Sequence, residues 1–182
     1  MKHLLPYLLV VVILIAISSC RKADEYPIEP YIEFKELTKF ANGQGKDTGI
    51  VITFTFTDGD GDIGFHQDEQ GALYTGEFYY NLYLNYQRKN ANGQFEPFYV
   101  PTPFDSITPN GDTIVIIKDI PVQFTYRMPF MEPSGRNKAI KGDISVDVST
   151  FGFSPVSRFE FYMYDRALHK SNVEFTPEFS VN

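Results

Sequence analysis

Over most of the chain, hydrophobic and polar positions alternate with a period of two. Ile50, Ile52, Phe54 and Phe56 interleave with Val51, Thr53, Thr55 and Thr57. Phe78, Tyr80, Leu82, Leu84 and Tyr86 interleave with Tyr79, Asn81, Tyr83, Asn85 and Gln87. The same rhythm returns in Ile144, Val146 and Val148, and again in Phe159, Phe161 and Met163. An apolar face backed by a polar one is what a half-buried antiparallel strand presents. Thr113–Lys118 (TIVIIK) is apolar on both faces and predicts a strand in the middle of a sheet. Asn42-Gly43, Asn92-Gly93 and Asn110-Gly111 supply the residues that tolerate positive φ in tight turns. Lys89–Gln94 closes a hairpin between a strand ending near Arg88 and one starting near Phe95. Thr125–Ala139 breaks the alternation and reads as a long loop with room for one helical turn.

Seven or eight strands without intervening helices predict an all-β chain. The expected architecture is a single immunoglobulin-like antiparallel β-sandwich over residues 31–182, with a closed barrel as the alternative. Phe and Tyr (17 and 12 residues, with no Trp) favour strands. The chain carries 16 basic and 23 acidic side chains and no basic cluster, which argues against a nucleic-acid partner.

The first residues change the compartment. Lys2 precedes an apolar run from Leu8 to Ile17, too short for the roughly 20 residues that span a bilayer but suited to a signal peptide. Ile17-Ser18-Ser19-Cys20 resembles the bacterial lipobox, in which an aliphatic and two small residues precede the cysteine that is acylated. That resemblance implies a signal peptide over 1–19, a lipid on Cys20 and a membrane anchor. Cys20 is the only cysteine in the sequence, and acylation accounts for it where a free thiol would not. Residues 20–30 then form a tether stiffened by Pro27 and Pro30. Arg21 rather than Asp follows the cysteine, which by analogy with enteric bacteria favours the outer membrane. Lys22-Ala23-Asp24-Glu25 looks like the charged tag that places Bacteroidetes lipoproteins on the cell surface; a domain facing the periplasm is the alternative. Loss of Lys2 with the leader leaves 163 residues with a formal charge of −8, one domain of ordinary size.

The most specific stretch is Thr57-Asp58-Gly59-Asp60-Gly61-Asp62-Ile63-Gly64. Three carboxylates at alternate positions leave the end of a strand, and the glycines let the chain curl so that they converge. No Lys or Arg lies between Lys46 and Arg88 to relieve their repulsion. A hard, oxygen-seeking cation such as calcium relieves it instead; a solvated acidic turn is the plainer alternative. The loop is not an EF-hand, since Ile63 stands where that loop needs Gly and no helices flank it. Asp165, in Tyr164-Asp165-Arg166-Ala167-Leu168-His169-Lys170-Ser171-Asn172, is a turn-former that adds a fourth oxygen if the two strand ends coincide. The lipobox, Phe56–Gly64 (FTDGDGDIG) and the turn after Asp165 together resemble a family of small uncharacterised lipoproteins of the Bacteroidetes. That resemblance implies a sandwich on a lipid tether and brings no activity with it.

Catalytic patterns are missing. There is no free cysteine after Cys20, no zinc-binding pair, no phosphate loop and no nucleophile elbow, and His66 and His169 are the only bases of their kind in the domain. Tyr79 and Tyr83 share a predicted strand face with Asn81, Asn85 and Gln87. They could stack on a sugar or a peptide, or simply form a sheet face covered by loops. The expectation is a non-enzymatic binding or accessory module, stiffened by calcium, with a glycan or envelope protein as partner. A polymer hydrolase using a carboxylate pair and a purely structural envelope component are the alternatives.

Overall fold

The computed structural model describes residues 25–69, 76–133, 138–150, 153 and 156–181. The expected signal peptide, Cys20 and the first residues of the tether lie outside them. The described residues form eleven strands: β1 (Tyr31–Ala41), β2 (Asp47–Asp58), β3 (Leu82–Lys89), β4 (Phe95–Pro97), β5 (Tyr99–Ile107), β6 (Thr113–Pro121), β7 (Gln123–Tyr126), β8 (Ile140–Ser149), β9 (Val156–Met163), β10 (Glu174–Phe175) and β11 (Phe179–Ser180). The count exceeds seven or eight because β4, β7, β10 and β11 are two to four residues long. Pieces that short carry too few residues for a period of two to be read.

One antiparallel sheet has the order β1-β2-β8. A second has the order β10-β9-β3-β4, with β11 also on β9 and β7 also on β3. Their apolar faces share one core. Ile50, Ile52, Phe54 and Phe56 of β2 meet Leu82, Leu84 and Tyr86 of β3 and Phe159, Phe161 and Met163 of β9. The Phe54 and Phe161 rings lie 5.3 Å apart between the sheets. Each such side chain contributes roughly 1.5–3 kcal/mol by leaving water. Buried within this core, the Tyr86 hydroxyl is satisfied by Ser157 Oγ at 2.7 Å.

Side chains join the sheets at both margins. Asn172 accepts from Ile32 N–H and donates to Ile32 C=O, each at 2.8 Å, so one amide occupies the outer edge of β1 as a neighbouring strand would. Across the molecule, Tyr126 of β7 donates its hydroxyl to Asp147 C=O of β8 at 2.7 Å.

β4 and β7 are two halves of one edge strand. Both run antiparallel to β3, and they meet at Tyr86. There Phe98 N–H donates to Tyr86 C=O, Tyr86 N–H donates to Val122 C=O, and Val122 N–H donates to Phe98 C=O. Between Phe98 and Val122 the chain leaves the sheet as a hairpin, β5–β6, paired over nine positions. TIVIIK therefore lies in a two-stranded arm and not in the middle of a sheet; Ile114, Val115, Ile116 and Ile117 are exposed. The alternation of Phe78–Gln87 is likewise only partly strand. Gly76–Phe78 is a 3₁₀ turn, Tyr79 and Tyr80 are exposed, and pairing starts at Leu82. Tyr83 is buried on the outer face of its sheet and stacks on Tyr162, its hydroxyl bonded to Tyr80 C=O.

Candidate metal centre

The acidic loop leaves the C-terminal end of β2, where Asp58 is the last strand residue. Its glycines stand where no side chain fits. A Cβ on Gly59 would lie 2.2 Å from the Tyr26 carbonyl, and one on Gly61 1.9 Å from the Lys138 carbonyl. Gly61 and Gly64 also take positive φ, 68° and 86°. Beyond the turn, Ile63 and Phe65 are buried, and three backbone bonds tie residues 63–65 to 128–131. The loop is thus clamped from the side by chain that the sequence reads as irregular.

The second contribution comes from the end of β9. Arg166 N–H donates to Asp62 C=O at 3.1 Å and docks the 165–169 turn onto the loop. Leu168, at a φ of 67°, lets that turn close, and His169 N–H reaches back to Asp165 Oδ1 at 2.8 Å. The strand ends therefore coincide. Asp58, Asp60, Asp62 and Asp165 each offer an oxygen, and the four oxygens lie within 4.8 Å of one another. His66 and Glu69 stand outside this group: His66 is exposed beside Phe130, and Glu69 pairs with Arg166.

The electrostatics are those of a site short of positive charge. Asp58 and Asp165 are fully buried. Burial pushes the Asp58 carboxyl up to about 7; the Asp62 N–H bond opposes this, while the charges of Asp60, Asp62 and Asp165 add to it. Burial also lifts Asp62 to about 6, with Asp165 and Asp60 adding to it. Asp165 is raised by burial and steadied by the backbone and ring of His169, whose Nδ1 lies 2.8 Å from Asp165 Oδ2. His169 is raised in turn, chiefly by that hydrogen bond.

Hydrogen bonds leave the cluster incomplete. Asp58 Oδ2 accepts the Asp62 N–H at 2.9 Å. Its Oδ1, together with Oδ1 of Asp60 and Oδ1 of Asp62, is buried without a hydrogen-bond partner. Among the described residues no ion pair reaches these three aspartates. Buried carboxylate oxygens without donors are costly, and a divalent cation supplies what they lack. The cluster can therefore bind a metal ion. Comparison with protein-family models, with curated proteins and with solved structures finds no match. What the centre can do rests on its own donor set.

Two supporting groups escaped the sequence reading. His169 orients Asp165, a role signalled only by its four-residue spacing from it. Arg127 holds the chain after the loop by donating to the carbonyls of Tyr79, His66 and Glu69.

Proposed function

We propose that this chain is a non-enzymatic binding or accessory module of the bacterial cell envelope, an immunoglobulin-like β-sandwich stiffened by calcium. It is carried on the outer membrane, facing outward, by lipid on Cys20, and its partner is a glycan or an envelope protein. The observation that carries the cation reading is the trio of buried, unpartnered Oδ1 atoms on Asp58, Asp60 and Asp62. Calcium suits the spacing. Oxygens at 2.3–2.6 Å from one ion sit at most about 5 Å apart, and the four oxygens lie within 4.8 Å. Magnesium, at roughly 2.1 Å, draws its ligands closer and keeps several waters. Full burial of Asp58 and Asp165 supports a structural ion over a proton donor, which must reach its substrate.

Thermal melting after chelation, and again at millimolar calcium, tests the reading. A site saturated a hundredfold adds about 2.7 kcal/mol, which for a domain of this size raises the melting point by roughly 5–10 °C. An unchanged melting point would leave four clustered aspartates and no cation, and the proposal would fall.

A further inference from the structure

The β5–β6 arm carries an open edge. Among the described strands, β5 and β6 pair only with each other. Large apolar side chains stay in solvent, with Ile107 at 76%, Val115 at 64% and Ile117 at 68% exposure. An open apolar edge of this kind is a template for another strand. The two edges differ. Thr108 N–H donates to Asp112 C=O at the tip and Val122 N–H to Phe98 C=O at the base, so even-numbered residues of the arm turn their backbone groups toward each other. Odd-numbered residues turn theirs outward. On β5 these include Pro101 and Pro103, which have no N–H, so that edge is interrupted at its centre. On β6 Thr113, Val115, Ile117 and Asp119 form an unbroken row, and its one proline, Pro121, stands at the base end of the strand.

We infer that the β6 edge is a self-association site, where a second copy of this chain adds its own β6 antiparallel about a two-fold axis at Ile116. An edge that pairs with itself must bring outward groups onto outward groups. With Ile116 on the axis, Thr113 meets Asp119 and Val115 meets Ile117, and all of these face outward in both copies. The charges agree with that register. Lys118 lies on the same face as Phe104, its Nζ 5.6 Å from the ring centroid. Its diagonal neighbour across the new seam is Asp112 of the second copy, roughly 7–8 Å away and within a lysine's reach. The two-fold repeats that pair, and no like charges stand opposite. Ile114 and Ile116 of both copies then form one continuous apolar face. The arm's tip, Thr108-Pro109-Asn110-Gly111-Asp112, is polar and ends in a charge, which speaks against burial of the arm in lipid.

Disulfide trapping in the detergent-solubilised full chain reads this register. On the axis Ile116 faces its own mate in a non-hydrogen-bonded pair, Cα atoms about 4.5 Å apart, within the span of a disulfide. Ile114 and its mate are about 14 Å apart, beyond that span. Under mild oxidation Ile116→Cys is expected to give a covalent dimer and Ile114→Cys a monomer. Cys20 is the same in both variants, so whatever it contributes to the background is common to the two. Neither position lies in the core. Independently, Lys118→Asp should weaken dimerisation about tenfold in sedimentation, and adding Asp112→Lys should restore it. The inference is overturned by cross-linking that is equal at both positions or absent at 116. It is also overturned by a cross-link to another protein alone, or by an unmodified chain that sediments as a monomer at every concentration.

Discussion

At Asp58 one oxygen accepts the Asp62 N–H while the other meets nothing, and the fold tolerates this at the end of its central strand. Removing that charge therefore acts in opposite directions in the two states of the site. Asp58→Asn should raise the melting point of the chelated protein by a few degrees, because a buried like charge is lost. The same change should abolish the response to calcium. An Asp58→Asn protein that melts lower after chelation and still gains on adding calcium would contradict the assignment. Gly61→Ala tests the loop's backbone. It meets the Lys138 carbonyl and adopts a disfavoured φ, so it should cost about 2 kcal/mol or more in denaturant unfolding. Wild-type stability in that variant would show that the loop bends aside. The alternating aspartates made this half of the site legible in the sequence. Asp165 was legible only as a conditional donor, because nothing in the chain states that the end of β9 lies beside the end of β2. His169 was legible only as a residue four positions from Asp165, since its role depends on a turn closed at Leu168.

Among the elements, β2, β8 and β9 were readable because each buries one face and alternates strictly. The arm was misread for a physical reason. A run such as TIVIIK reports strand pairing and β-branched preference, and it does not report whether anything covers the two faces. The edge strand broken into β4 and β7 was hidden as well, since its halves are separated by the whole arm. The arm should be dispensable to the body of the molecule. Phe98 and Val122 already stand as a bonded cross-strand pair, so replacing residues 99–121 by Asn-Gly supplies the two-residue turn such a pair accepts. The melting point is expected to stay within about 3 °C of the parent. Collapse of the fold would show that the arm contributes to the core. Asn172→Ala probes the opposite margin. Losing both bonds to Ile32 should cost roughly 1–3 kcal/mol, read as a lower denaturant midpoint with an unchanged slope.

For the whole molecule, the acidic centre sets how stability responds to pH. Asp58 and Asp62 keep protons in the folded chain up to about 7 and 6, against the ordinary 3.8. Between those values the folded state binds more protons than the unfolded one, so stability falls as pH rises. His169 acts in the same direction, because a raised histidine contributes below its unfolded value and loses that contribution as pH climbs through the folded one. The chelated protein should accordingly be more stable at pH 5 than at pH 8 in urea titrations. Calcium, which binds the deprotonated carboxylates, should narrow or invert the difference. Chelated stability that climbs from pH 5 to pH 8 would sink the account of the centre.

Residues 25–30 meet the sheets at this same place. The Tyr26 and Pro27 carbonyls pack against Gly59, so the chain crosses the acidic loop before it enters β1. A pull applied ahead of residue 25 would therefore be felt first at the aspartates. A domain pulled at its N-terminus would resist with whatever holds that loop closed, and its rupture force would depend on the cation before it depended on the sheets.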